Sequence, residues 1–130
     1  SLLIGGLEMS SYRLNMKRVY EKAEKEDGYR ILVDRMWPRG VSKENASIDD
    51  WVKEITPTTA IRKEFNHQPQ KFEWFKKVYL AELESNPDTK SFVKQVFEQL
   101  KRTPVTFVYA AKDEQFNHVV ILMEFAQNQK

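Results

Sequence analysis

Tyr29-Arg30-Ile31-Leu32-Val33-Asp34 is an apolar run that starts directly after Gly28 and is closed by a charge. Its length and its Ile, Leu and Val content suit a buried strand, and the glycine before it is a turn signal. A second run, Val105-Thr106-Phe107-Val108-Tyr109-Ala110, is rich in β-branched and aromatic residues and follows Thr103-Pro104, where a helix must stop. The long stretch between the two reads mostly as helix. Two apolar strands joined through a helical crossover are expected to lie parallel in a covered sheet. The expected fold is therefore α/β: a small, at least partly parallel sheet with helices packed on it, Rossmann-like, in a single domain.

Working outward, Lys17-Arg18-Val19-Tyr20 is a short extended candidate, and residues 21–28 form a charged loop. Pro38 and Gly40 make residues 35–45 a loop. Ser47 is expected to open a helix, because Ile48, Trp51, Val52 and Ile55 recur at i, i+3, i+4 and i+7 with Asp49 and Asp50 in the first turn. Thr58 or Thr59 caps a second, short helix ending near Phe65. Pro69 suits the first turn of a third, with Phe72, Phe75, Tyr79 and Leu83 on one face. A fourth presents Phe92, Val93, Val96, Phe97 and Leu100, and residues 118–129 read as a closing helix with Val119, Leu122, Met123 and Ala126 inward. The order expected is strand, strand, four helices, strand, helix.

The whole chain, at 130 residues, fits one domain with one sizeable core. A net charge of +2, with the basic pairs scattered, shows no basic stripe. This argues against a nucleic-acid partner, and no membrane partner is expected. The absence of cysteine removes a disulfide, a thiolate nucleophile and any Cys-ligated metal, and agrees with a reducing cytoplasm, the expected location. No apolar run reaches the roughly 18 residues that span a bilayer. Residues 1–16 read as a flexible leader or expression remnant before a domain at 17–130; Met9 and Met16 are both candidate starts, and Ser1-Leu2-Leu3-Ile4-Gly5-Gly6-Leu7-Glu8 makes a poor signal peptide.

Several motifs recur in order: Asp27-Gly28-Tyr29-Arg30-Ile31-Leu32-Val33-Asp34-Arg35-Met36-Trp37-Pro38-Arg39-Gly40, Phe65-Asn66-His67-Gln68-Pro69, Tyr79-Leu80-Ala81-Glu82-Leu83, a strand running through Tyr109-Ala110-Ala111-Lys112-Asp113, and Asn117-His118. This set resembles the family catalogued as domain of unknown function 488, in its small bacterial branch, over roughly residues 19–125. The resemblance implies membership and brings no activity with it. The family often has Gly at Asn66 and an acidic residue at Gln68. More distant relatives carry cysteines that fall at Tyr109 and Asn117 here, so thiol chemistry of that kind is closed to this chain.

In open α/β sheets, ligands sit beyond the carboxyl ends of the strands. That places the polar loops 34–43 and 111–118 side by side, and any chemistry there. Arg35, Arg39 and Lys43, beside a helix opening at Ser47, are candidates to hold a phosphate or carboxylate. The alternative for Arg35 is an ion pair with Asp34 or Asp113 that braces the loop. Trp37 either stacks on a ligand ring or plugs the loop. His118, near Asp113, is a candidate general acid or base with Asp34 or Asp113 orienting; equally, Asn117 caps the helix and His118 bonds a backbone carbonyl. His67 either completes the cleft or caps a turn. The two histidines lack metal-site spacing, and neither a Gly-rich phosphate loop nor GxSxG occurs, so no metal or cofactor is expected. The preferred reading is a small enzyme or ligand-binding domain acting on an anionic small molecule or nucleotide. Its rival is a noncatalytic protein- or nucleic-acid-binding module. The oligomeric state is left open.

Overall fold

The computed structural model describes residues 12–129. Four strands, β1 (Leu14–Arg18), β2 (Tyr29–Leu32), β3 (Asp50–Trp51) and β4 (Val105–Tyr109), form one sheet in the order β1-β4-β2-β3. Every neighbouring pair is parallel. The helices are α1 (Lys43–Ala46), α2 (Thr59–Phe65), α3 (Phe72–Ser85), α4 (Thr89–Leu100) and α5 (His118–Gln127), with short 3-10 turns at Lys25–Asp27 and Pro69–Lys71. The α/β architecture with a parallel sheet is thus as expected. No helix among the described residues is long and apolar enough to cross a membrane.

Side chains alternate along a strand, so the central strands β2 and β4 bury both faces. Ile31, Val33, Val105, Phe107 and Tyr109 face the main core, built with Phe75, Tyr79 and Leu83 of α3, Phe92 and Val96 of α4, and Val119 and Leu122 of α5. Burying each large side chain here is worth about 1.5–3 kcal/mol. Leu32 and Val108 face the other way, into a smaller cluster with Val19, Ala46, Trp37, Val41, Ile48 and Trp51. One face of the sheet is therefore covered by helices, the other by the segment linking β2 to β3.

Buried polar groups pin that segment down. Arg30, almost wholly buried, sends Nη2 to Ala46 O (2.8 Å), Nε to Ser47 O (3.1 Å) and Nη1 to Asp27 Oδ2 (2.6 Å). Burial works against the Asp27 carboxylate, but the Glu24 amide, Lys17 and Arg30 outweigh it and hold the carboxyl below its usual range.

The helix expected from Ser47 is not formed. Ser47 takes a left-handed conformation (φ 50°) that ends α1, and Asp50 and Trp51 instead pair with Ile31 and Leu32. The spacing of Ile48, Trp51, Val52 and Ile55 misleads because these residues serve two cores. Ile48 and Trp51 join the small cluster; Val52 and Ile55 join the main one. Edge pairing prevails over the helical period. The first strand also starts at Leu14 rather than Lys17, so Leu14, Asn15 and Met16, read as leader, belong to the sheet. The rest of that leader as far as Ser11 lies outside the described residues.

Candidate functional site

Beyond β2 the chain turns toward β3, whereas beyond β4 it enters α5, which lies against β1 and β4. The neighbouring strands β4 and β2 thus send their chains in opposite directions, and their carboxyl ends flank the crevice where such sheets take ligands. The two polar loops meet here. Asp34 Oδ2 accepts a hydrogen bond from Ala110 N at 2.8 Å, and His118 Nε2 stands 2.6 Å from Val33 O and 3.4 Å from Asp34 Oδ1.

A carbonyl oxygen only accepts, so the His118 proton sits on Nε2 and is donated to Val33. Burial pushes the imidazole below its ordinary value, against the pull of Asp34 and the Val33 carbonyl and with Arg62 and His67 adding to the push. Burial also raises the Asp34 carboxyl, opposed by His118, the Ala110 amide and Arg62. The contact is at ion-pair distance, yet both shifts disfavour the charged partners. Burial therefore favours the neutral histidine, with its one N–H on Nε2 given to Val33 O.

Asp113 spends Oδ1 on the amides of Gln115 and Phe116, both at 2.9 Å, in a tight turn that lowers its carboxyl below the ordinary value. Asn117 is the cap of α5, accepting from Val120 N (3.0 Å) and donating Nδ2 to Asp113 O (2.8 Å). Of the alternatives for this loop, the cap and the carbonyl bond are the ones seen. His67 is exposed at the rim, in a left-handed conformation (φ 56°) next to Asn66 in another (φ 47°). Its charge is felt by both Asp113 and His118.

Arg35 pairs with neither Asp34 nor Asp113. Its Nη2 and Nε go to Thr56 O (3.1 Å) and Pro57 O (3.2 Å). The shallow cleft beside it, about 230 Å³, also holds Thr58, Tyr79, Glu82 and Asn86, and Glu82 makes it unfriendly to anions. The fully buried Tyr79 lines the same cleft, its hydroxyl on Ile55 O (2.7 Å) and its ring centroid 6.3 Å from that of His118.

Trp37 plugs its loop. Its indole donates to Val41 O (2.7 Å) and meets Trp51 edge-on at 5.5 Å. Arg39 and Lys43 are exposed, and no helix start at Ser47 adds donors beside them. Among the described residues neither cationic head has a hydrogen-bond partner, and no group of three acidic or histidine side chains could hold a metal ion.

Sequence reasoning missed Arg62 on α2. Its charge reaches Asp34 and His118, and its Nε is buried without an acceptor among the described residues. The available signal was its place three residues before the inward-facing Phe65, on one helix face. It also missed Arg18, which braces the second loop through Ala111 O (2.8 Å) and Ala110 O (3.3 Å).

Comparison with known proteins points to one family. The model of the inactive DUF488-N3 subclade matches residues 13–130. Uncharacterized protein YeaO of Escherichia coli (strain K12) is 41% identical over 115 residues, 88% of this chain and 97% of that protein. Mb3100c of Mycobacterium bovis and Rv3073c of Mycobacterium tuberculosis (strain H37Rv) are each 31% identical over 112 residues, 86% of this chain and 92% of theirs. No solved structure matches. With nearly its whole described length matched, the chain belongs to the DUF488 family.

Proposed function

We propose that the chain is a noncatalytic binding domain that takes an anionic small molecule, phosphate- or carboxylate-bearing, on the outward side of residues 36–43, with Arg39 and Lys43 supplying the charge. One observation carries the reading: the loop's inward groups are spent on the protein while its outward ones are uncommitted. Inward, the Trp37 indole is bonded to Val41 O, and at the loop's two ends the Arg35 guanidinium and the Ala46 carbonyl are taken. Outward, Met36 is 70% exposed, and Arg39 and Lys43 extend into solvent. Binding residues favour loops held by a rigid scaffold, and a loop already ordered loses little entropy when a ligand arrives.

Two features support binding without turnover. The His118 Nε2 proton is committed to Val33, and Asp113 is committed to its turn. The subclade is itself described as inactive.

The test is a titration of the labelled chain with inorganic phosphate, a nucleoside monophosphate and a dicarboxylate, followed by amide NMR. A saturable ligand should move resonances of residues 36–43. Reversing both charges, Arg39→Glu with Lys43→Glu, should weaken it at least about tenfold, since charge-assisted hydrogen bonds are worth about 1.5–3 kcal/mol. The melting temperature should hold. Equal affinity in the reversed variant, or no saturable binding by any of the three, refutes the reading.

A further inference from the structure

Tyr20 is a half-exposed aromatic residue fastened to the loop of residues 36–43, and it belongs to neither core cluster among the described residues. It stands just beyond β1, and β4 separates β1 from β2 in the sheet. Its hydroxyl nevertheless reaches the loop that follows β2, donating to Arg39 O at 3.1 Å. The Arg18 guanidinium lies over the ring, 5.1 Å from its centroid. That guanidinium is itself tied down by Ala111 O (2.8 Å) and Ala110 O (3.3 Å). Held at its hydroxyl and backed by a fixed cation, the tyrosine is still 49% exposed.

We infer, resting on the loop reading above, that the anionic ligand is a free nucleoside phosphate, its base stacked on the open face of Tyr20 and its phosphate on the Arg39 and Lys43 side chains. The ligand class follows from two neighbours. Arg39 accepts the tyrosine hydroxyl on its backbone and extends its own side chain into solvent, so a flat ring and a cation are offered by residues in direct contact. A nucleotide likewise carries a flat base and a phosphate within one short span. Aromatic side chains stack on bases of any identity, because every base has a π-face. A ring already held in place loses little rotamer freedom when it does so. The free form is favoured over a strand, since a net charge of +2 with scattered basic pairs offers no track for a polymer of phosphates.

The test is a titration of adenosine monophosphate, ribose phosphate and inorganic phosphate into the parent, Tyr20→Phe and Tyr20→Leu, read by amide NMR and by the base protons of the nucleotide. In the parent, adenosine monophosphate should bind at least about fivefold tighter than ribose phosphate, the gain that one stacked base brings. Its base protons should move upfield as the ring covers them. Tyr20→Phe should keep the preference; Tyr20→Leu should abolish it and leave the affinity for ribose phosphate unchanged. Equal affinity for the nucleotide and the sugar phosphate in the parent overturns the inference while leaving the loop as an anion site. A Tyr20→Leu chain that loses both ligands alike also overturns it, since the tyrosine then only props the loop. The base-proton shift needs no substitution, so its absence from the parent is decisive even where a variant fails to fold. A parent that binds none of the three overturns both readings. A terminally phosphorylated trinucleotide should bind no tighter than the mononucleotide, and tighter binding would overturn the assignment to a free nucleotide.

Discussion

Replacing Gly28 by alanine should destabilise the chain by about 2.5–7.5 kcal/mol, out of the 5–15 kcal/mol typical of a whole domain. Gly28 sits at φ 66°, ψ −129°, a conformation that side-chain-bearing residues rarely adopt. A Cβ there would fall 2.1 Å from Pro104 O and 2.7 Å from Thr103 Oγ1. The threonine can rotate away; the carbonyl cannot, because it accepts the Tyr29 amide at 2.8 Å and so forms the first rung between β2 and β4. The backbone strain costs about 1–3 kcal/mol, and relieving the overlap by moving the strand end about 1–3 kcal/mol. The stretched hydrogen bond contributes about 0.5–1.5 kcal/mol. Gly40→Ala is the control: φ is 71°, but nothing lies within 4 Å of the added carbon. It should cost only about 1–2 kcal/mol. Urea denaturation reads both, and the Gly28 variant should lose at least about 1 M in midpoint at unchanged slope. Equal costs in the two variants would show that β2 and β4 do not approach as closely as described.

Two further outcomes concern the crevice itself. His118 is held below its ordinary pKa of 6.5 chiefly by burial, so below that pH the unfolded chain takes up a proton that the folded chain refuses. Stability should therefore fall as pH drops from about 6.5 through the folded value. The raised Asp34 carboxyl works in the opposite sense at lower pH, from its ordinary 3.8 up to its folded value, where folding is favoured by protonation and loses ground as pH rises. Thermal melts between pH 7.5 and 5.5 should slope for the parent and flatten for His118→Gln; parallel slopes would place the titration elsewhere. Asn117→Ala, which uncaps α5, should cost about 0.5–2 kcal/mol. Asn117→Asp should cost less, since it keeps the acceptor for Val120 and loses only the donor to Asp113. Equal melts for the two would argue against the cap.

How far the sequence could be read depended on where each residue's partner lay. β2, β4, α3, α4 and α5 were legible because their apolar residues follow one period toward one core. The segment around Ile48–Ile55 was not, since a short strand that splits its apolar residues between two clusters imitates a helix. The meeting of Asp34 with the second loop followed from topology alone. The fate of Arg35 did not: its partners are the carbonyls of Thr56 and Pro57, and carbonyls leave no mark on a sequence. Trp37 was legible only as a choice between ligand ring and plug, which its contact with the distant Trp51 resolves. Arg62 was hidden because a cation on an inward helix face looks like a solvated one until the neighbouring loops are in place.

The loop that covers the second face of the sheet has a consequence for how the chain would sense an occupant. Trp37, Val41, Ala46 and Ile48 of this segment, together with Val19 and Trp51, roof Leu32 and Val108. Peeling that roof away wets the two central strands at once, so the segment has no means of swinging free while the remainder stays native. A molecule gripping its outer surface would therefore be felt as slower amide exchange throughout β2 and β4. Recognition and endurance would be read from one and the same clock.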